Sequence, residues 1–244
     1  MKNCIKCIKN YLIYKIRKTT NPKRITLSGI KIDMSIPILN KDIKKIIYNE
    51  KYEQTEIKIL KQVLEDTDFV MEAGTGMGFL STYIAKEIGE ERIISYEANP
   101  NLIKHIKSLA NLNGVDFKLK NKILSNNNGK TKFFIQDYFL SSSTNNKRES
   151  KNSVYIENID INKEIDKYRP NFLLIDIEGA EKELIFDIRK WNVIDKLLIE
   201  LHPHIISDAE ITNIIRHLAN QGFNLMIDKS ENRVYFFEKS RGSK

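Results

Sequence analysis

Short, almost continuously apolar runs alternate with helical patterns along most of this sequence. The runs are "DFVME" at 68–72, "RIISYE" at 92–97, "NFLLIDIEG" at 171–179 and "DKLLIELHP" at 195–203. Strands that are apolar on both faces need cover on both faces, and helical connections between parallel strands supply it. The alternation therefore predicts a doubly wound, mostly parallel α/β sheet, and "FNLMID" with "RVYFFE" predicts an antiparallel C-terminal hairpin.

The helices of this pattern are predicted from apolar spacing and capping residues. They cover residues 54–64, 78–88, 101–113 and 180–190, and a capping box of Ser207 and Glu210 predicts one more. Residues 141–152 contain no apolar side chain, which predicts an exposed, mobile loop that could serve as a lid or as a plain surface insertion.

The N-terminal part differs from the rest of the chain. Residues 1–50 are predicted to form a helical and strand extension that packs on or caps the core, and residues 51–244 to form the main domain. Ile5, Ile8, Leu12 and Ile16 recur at helical spacing among lysines, which indicates a basic amphipathic helix. This helix could dock on its own domain or make peripheral contact with a membrane.

Composition restricts the partners and the location. Forty Lys and Arg against 32 Asp and Glu give a net charge of +8, which favours anionic partners. The basic residues are spread rather than interleaved with exposed aromatics, so we expect no nucleic acid partner. Two cysteines, Cys4 and Cys7, cannot supply a zinc site or a disulfide scaffold. Together with the lack of an export signal, they predict a cytoplasmic protein, with the inner membrane face as an option.

The stretch "VMEAGTGMGF" at 70–79 predicts a ligand-binding loop after the first strand of the repeat. Gly74 and Gly76 fit a dinucleotide fingerprint, but its third glycine would fall on Phe79, and Gly78 comes one residue early. Glu72 at the strand tip would repel a pyrophosphate at close range. The loop therefore favours a ligand with a cationic end.

Glu97 closes the next strand, about twenty residues beyond the glycines, where a carboxylate can meet ribose hydroxyls. S-adenosylmethionine carries a sulfonium, an ammonium and a ribose but no phosphate. Two acids flanking the glycine turn thus predict a methyltransferase in preference to a nicotinamide enzyme.

Five stretches in this order resemble the FkbM family of S-adenosylmethionine-dependent methyltransferases: "YEQTE", "DFVMEAGTGMGFLS", "ISYEANP", "LLIDIEGAE" and "LLIELHP". The family usually has Asp where this chain has Glu72. The resemblance implies a class I Rossmann-like enzyme that methylates a hydroxyl of a sugar, glycan or related metabolite. It implies that Gly74, Gly76 and Gly78 shape the cofactor loop, Glu72 faces the methionine end, Glu97 holds the ribose, and adenine lies near residues 122–124.

Methylation of a hydroxyl also requires removal of a proton. Asp176 and Glu178 close one late strand, and Glu200 and His202 close another, at the edge where open sheets bind ligands. We expect His202 to be the base, with Asp176 next and Glu178 as a further candidate. The same acids could instead hold a divalent cation, although no residue is assigned as a metal ligand from sequence.

Simpler roles stay open for these residues: His202 could cap its strand, and Glu178 could only face a helix dipole. Glu181 and His204 are weaker candidates. Two other functions also stay open, an RNA methyltransferase and a cofactor-binding protein without catalysis. The acceptor and the oligomeric state cannot be derived from one sequence.

Overall fold

The structure is a computed structural model that describes residues 2–135 and 152–240, with side chains from residue 11 and, after the gap, from residue 153. The helices are α1 (Lys2–Thr20), α2 (Lys41–Tyr48), α3 (Gln54–Val63), α4 (Phe79–Ile88), α5 (Pro100–Leu112), α6 (Ile161–Tyr168), α7 (Glu181–Asp187) and α8 (Asp208–Asn220). The strands are β1 (Arg24–Leu27), β2 (Ile30–Asp33), β3 (Val70–Ala73), β4 (Ile93–Tyr96), β5 (Lys118–Lys120), β6 (Ile123–Ser125), β7 (Lys130–Ile135), β8 (Asn152–Asp160), β9 (Phe172–Ile175), β10 (Lys196–Glu200), β11 (Phe223–Leu225) and β12 (Val234–Lys239).

Seven of these strands form the central sheet, in the order β11-β12-β10-β9-β3-β4-β5. The strands from β10 to β5 pair in parallel, and β12 is antiparallel to both β10 and β11. This confirms the predicted doubly wound, mostly parallel sheet with a C-terminal antiparallel hairpin. Within the hairpin β12 lies next to β10, so the edge of the sheet is formed by β11.

Alternate residues of the central strands enter two hydrophobic clusters on opposite faces of the sheet. Val70 and Phe172 belong to one cluster, together with apolar residues of α3, α4 and α5. Met71 and Leu173 belong to the other, together with residues of α6, α7 and α8. Every residue of β3, β4 and β9 is buried, which explains why these strands are apolar throughout.

The N-terminal extension adds a further layer on the face covered by α3, α4 and α5. Apolar residues of β1, β2 and α2 belong to the same cluster as those helices. The side chain of Asn113, at the end of α5, bonds both the backbone N–H and the carbonyl of Lys31, at 2.8 and 2.9 Å. Arg17 of α1 pairs with Glu50 at 2.9 Å. The division of the chain at residue 50 stays a prediction.

Helix α1 exposes Tyr11, Leu12 and Ile16 to solvent. The exposed apolar side chains agree with the predicted amphipathic pattern, while Cys4 and Cys7 lie among the residues whose side chains are not described. No helix among the described residues has the length and apolarity to cross a bilayer. Peripheral contact of α1 with a membrane stays a prediction.

A second sheet, of order β6-β8-β7, was not predicted from the sequence. The stretch "TKFFIQDYF" indicated β7, but no structure was assigned from the sequence to β8 or α6. Helix α2 was also not assigned, although the Asn40 side chain caps it by accepting from Asp42 and Ile43. The loop predicted at 141–152 lies outside the described residues, apart from Asn152, which begins β8.

A buried ion pair joins the central sheet to the segment that precedes β3. The Lys196 ammonium lies 3.0 Å from Oδ2 of Asp68 and donates to the Val63 carbonyl at 2.8 Å. Asp68 also accepts from the Asn171 side chain and from the Glu65 backbone, each at 2.9 Å. Lys196 is 2% exposed and Asp68 is fully buried, so neither charge has water as an alternative partner.

Substitution Lys196→Met should destabilise the fold by about 3–5 kcal/mol, because it leaves the Asp68 carboxylate buried without its counter-charge. The matched control is Lys58→Met, which removes a lysine that pairs with Glu231 at the exposed surface and should change stability by less than about 1 kcal/mol. Urea unfolding of the two variants and the wild type measures both values. Equal losses in the two variants would contradict the assignment.

Candidate active site

A cavity of about 350 Å³ opens at the carboxyl ends of β3, β4 and β9. Its walls are the glycine loop at 74–76, the end of β4 at 97–99, residues 122–125, and the turn at 176–178 that follows β9. In parallel sheets this edge collects the loops that bind ligands. The cavity therefore joins the two regions in which the sequence predicted a cofactor and an acceptor.

Gly74 is the point of closest backbone approach in this cavity. Its φ is +84°, and a Cβ atom built on it would lie 1.7 Å from the backbone oxygen of Asp176. Any side chain at position 74 would therefore displace the turn that carries Asp176. Gly78, which precedes α4, is similarly close to another element: a Cβ there would lie 2.8 Å from Cγ2 of Ile106.

The loop is held to the next strand by Glu97. Oε2 of Glu97 accepts from the Gly76 backbone N–H at 2.9 Å, and Oε1 accepts from the Asn99 backbone N–H at 2.6 Å. Burial raises the pKa of the Glu97 carboxyl to about 7, although these backbone hydrogen bonds act in the opposite direction. The carboxylate lines the cavity and keeps acceptor capacity for a ligand hydroxyl.

Glu72 also lines the cavity, at the end of β3, and is 1% exposed. Its Oε2 accepts from the Ser81 hydroxyl, and Ser81 in turn accepts from the Ser95 hydroxyl at 3.0 Å. Burial raises the pKa of Glu72 to about 7, while the hydrogen bonds with Ser81, Ser95 and Thr75 lower it in part. Ser81 of α4 and Ser95 of β4 thus form a chain of hydrogen bonds that ends on the buried carboxyl group of Glu72.

The opposite end of the cavity contains residues 122–124, where the family resemblance implies adenine. Thr131 and Phe133 of β7 complete this wall. The second sheet therefore contributes directly to the site, which sequence analysis did not anticipate.

The turn after β9 brings together the predicted catalytic residues. Asp176 and Glu178 line the cavity, and His202 lies behind them, 3% exposed. Nε2 of His202 is 3.7 Å from Oδ1 of Asp176 and 3.5 Å from Oε2 of Glu178. Its Nδ1 is 2.7 Å from Oε1 of Glu181, and Glu200 lies 3.9 Å away. The tertiary structure thus places four carboxylates around one imidazole.

The acids determine the charge of that imidazole. Burial lowers the pKa of His202, but the hydrogen bond with Glu181 and the nearby charges outweigh burial and raise it to about 9. Burial and the charge of Glu200 raise the pKa of Asp176 well above its ordinary value. In this arrangement His202 holds its proton at neutral pH, so it can act as a base only after losing that proton. Its assignment as the base stays a prediction.

Two glutamates of the cavity wall, Glu53 and Glu178, have left-handed backbone conformations, with φ of 53° and 52°. Such conformations are unfavourable for residues other than glycine and persist where the surrounding structure enforces them, often at functional sites. Glu53 was missed from sequence, although it stands in the motif "YEQTE" that carried the family resemblance. Burial, followed by the charges of Glu56 and Glu200, raises its pKa well above the ordinary value.

The sequence placed Glu181 one turn into a helix and treated it as a weaker candidate. It is fully buried, accepts from the Gly179 backbone N–H at 3.0 Å and contacts His202. The signal that could have found it is its place one turn beyond the strand end in "IDIEGAE".

Comparison with known proteins identifies the chain from its sequence. The family described as the methyltransferase FkbM domain matches residues 72–225, which is more than half of the 244 residues. The chain belongs to the FkbM methyltransferase family. It is an S-adenosylmethionine-dependent methyltransferase with a class I Rossmann-like fold. No curated protein matches the sequence.

Solved structures of methyltransferases are similar to this FkbM family chain at low sequence identity. Magnesium protoporphyrin IX methyltransferase from Synechocystis PCC 6803 with bound SAM is 12% identical, with a TM-score of 0.49 over 84% of this chain and 88% of that one. A methyltransferase from Pyrococcus furiosus is 11% identical, with a TM-score of 0.45 over 98% of each chain.

The cavity of this FkbM family member fits S-adenosylmethionine by the charge of its lining. Among the described residues that line it, acids outnumber Lys122, the one basic side chain: Glu53, Glu72, Glu97, Asp176, Glu178, Glu183 and Asp187. An acidic wall suits a sulfonium and an ammonium and opposes a pyrophosphate. Which of these residues bind the cofactor stays a prediction.

Substitution Gly74→Ala should weaken S-adenosylmethionine binding at least about tenfold, because the added methyl group must displace either the loop or the Asp176 turn. The matched control is Gly222→Ala, at a φ of +88° with no atom within 4 Å of the added Cβ. It introduces the same backbone strain, about 1–2 kcal/mol, without a collision. Calorimetric titration measures both affinities, and equal affinity in the two variants would contradict the assignment.

Substitution Glu97→Gln should change how stability depends on pH. The folded protein keeps the Glu97 proton up to a pKa of about 7, whereas the unfolded chain releases it near 4.5. Stability from this group is therefore lost as pH rises from about 4.5 to 7, by a few kcal/mol. The variant has no such loss, so its stability relative to wild type should increase between pH 5 and pH 8. Urea unfolding without ligand measures this, and a difference that does not change with pH would show that the pKa is not raised.

Proposed function

We propose that the protein transfers a methyl group from S-adenosylmethionine to a hydroxyl of a sugar, glycan or related small metabolite. The observation that supports this proposal is the pair of cavity-lining carboxylates, Asp176 and Glu178, directly beside the glycine loop. Carboxylates at that place can orient a hydroxyl and accept its proton, which an oxygen acceptor requires and a stronger nucleophile would not.

Bound S-adenosylmethionine supplies a methyl group on a positively charged sulfur, which becomes a neutral thioether as the acceptor oxygen forms the new carbon–oxygen bond. The residues of the chain supply position and charge. The glycine loop and Glu97 would hold the ribose end, and Glu72 and Glu53 would favour the cationic end of the cofactor. Alignment of two bound reactants can contribute about 7–11 kcal/mol to lowering a barrier.

Proton removal is assigned to the cavity-lining acids on grounds of access. The side chain of Glu178 is 26% exposed and that of Asp176 is 31% exposed, whereas that of His202 is 4% exposed. Access thus favours both acids over His202. Because burial raises the pKa of Glu178 to about 7, near the pH at which a base works best, we assign the proton from the hydroxyl to Glu178 and the orientation of the hydroxyl to Asp176. His202 acts as a positioning residue through its contacts with both acids.

A divalent cation is the second cofactor in this proposal, because four carboxylates within 4 Å of His202 offer the oxygen ligands that such ions take. The acidic lining also opposes the phosphate backbone of RNA, which makes RNA the less favoured acceptor. A cytoplasmic location remains part of the proposal, since lipid-linked or soluble glycan precursors would be met there.

The test is methyl transfer from labelled S-adenosylmethionine to a panel of sugars, nucleotide sugars, glycans and bulk RNA, with products identified by mass spectrometry. Glu178→Gln should lower kcat by about 10²–10⁴-fold and leave the affinity for the cofactor unchanged. The control is Glu87→Gln, which removes an exposed acid of α4 and should leave kcat unchanged. Transfer to RNA alone, or the same kcat in Glu178→Gln and wild type, would overturn the proposal.

A further inference from the structure

Three side chains behind the cavity wall converge as metal ligands do. Asp176, Glu181 and His202 each offer one ligand atom, and these atoms all lie within 4.8 Å of one another. They follow the adjacent parallel strands β9 and β10, whose register pairs Ile175 with Ile199. Asp176 and His202 lie just beyond the ends of these two buried strands, and Glu181 is the first residue of α7, so each side chain is next to a regular element of the central fold.

Two of the oxygen atoms in this group have no hydrogen-bond donor among the described residues. They are Oδ1 of Asp176 and Oε2 of Glu181, and both atoms are buried. Glu181 as a whole is fully buried, and its other oxygen already accepts from the Gly179 N–H and contacts His202. A buried carboxylate oxygen without a hydrogen bond is unfavourable, because it has lost its hydration. The ion pair of Asp176 Oδ1 with His202, at 3.7 Å, is too long to be a hydrogen bond.

The charge at this place also needs a cation. Four carboxylates, those of Asp176, Glu178, Glu181 and Glu200, lie within 4 Å of the His202 ring. Among the described residues, the nearest further positive charge is Arg233, which is 3.8 Å from Glu200 and half exposed. The four carboxylates share one imidazole, and buried carboxylates persist when they are paired or bind a metal.

We propose that Asp176, Glu181 and His202 form a binding site for a divalent cation beside the methyl-transfer cavity. This proposal deepens the proposed function and rests on it for the role of the ion. Two carboxylate oxygens and one imidazole nitrogen, which releases its proton when the ion binds, are a ligand set for Mn²⁺, Mg²⁺ or Zn²⁺. A thiol-selecting ion is excluded by the ligand type. The three ligands leave positions open on an ion that takes six.

The ion would lie next to the methyl-transfer cavity, because Asp176 is both one of its three ligands and a residue of the cavity wall. A hydroxyl acceptor in the cavity can therefore complete the coordination. This favours acceptors with two neighbouring oxygen atoms, such as the vicinal diols of sugars, over acceptors with an isolated hydroxyl. Glu178 is near enough to His202 to stabilise the ion without being one of its three ligands.

The test uses the full chain after treatment with a chelator, with Mn²⁺ as the probe. Calorimetry and electron paramagnetic resonance should find one tightly bound Mn²⁺ per chain, and Mg²⁺ in excess should compete for the site. Glu181→Gln keeps the shape of the side chain and should weaken Mn²⁺ binding at least about tenfold. The control is Glu87→Gln, which removes an exposed charge from α4, outside the cavity lining, and should leave Mn²⁺ affinity within about twofold.

S-adenosylmethionine titration of Glu181→Gln and of His202→Asn shows whether each variant is folded, independently of Mn²⁺. Wild-type protein that binds no Mn²⁺, or a folded Glu181→Gln that binds it as wild type does, would overturn the site. Chelation that abolishes methyl transfer to diols, with recovery on adding Mn²⁺, would support it. If only the proposed function is wrong, the result is different. Mn²⁺ still binds and its affinity still depends on Glu181, but no hydroxyl compound is methylated.

Discussion

The contact between the glycine loop and the turn after β9 is the constraint on which the site depends. Gly74 packs against the backbone of Asp176 so closely that only a residue without a side chain fits. The same segment is tied on both sides, because the Gly74 N–H donates to Tyr96 and the Asp176 N–H donates to Ala73, each at 2.9 Å. This backbone contact therefore fixes the position of the glycine loop relative to the start of the acidic turn.

The second feature of the site is that several of its carboxyl groups are buried without basic side chains to pair with them. Glu72, Glu97 and Glu178 have pKa values raised to about 7, in each case chiefly because burial removes water from the carboxyl group. A protein accepts such an arrangement when ligands restore the balance, since binding of a cation to the folded state alone stabilises that state. A cationic ligand in this cavity would therefore stabilise the folded protein. The left-handed backbone at Glu53 and Glu178 is a second sign of a binding site, since such strain is often found at functional sites.

Much of this arrangement could be predicted from local sequence. The parallel strands are continuous apolar runs, the helices carry ordinary caps, and Glu72, Glu97, Asp176 and Glu178 all follow strands at the ligand-binding edge. The second sheet could not be predicted, because β8 is partly exposed and its partners β6 and β7 are distant in sequence. Glu181 and Glu53 were undervalued for a related reason, since a glutamate near a helix start is usually a surface residue.

By itself the sequence determined the fold class, the family and the charge of the cofactor loop, because apolar periodicity and residue types at strand ends are local properties. Only the tertiary structure decided which acids meet. The grouping of Asp176, Glu181 and His202 depends on the register of β9 with β10 and on the burial of α7 against the sheet. The same packing decided the charge of His202, since the pKa of an imidazole follows from the carboxylates placed around it rather than from its neighbours in sequence.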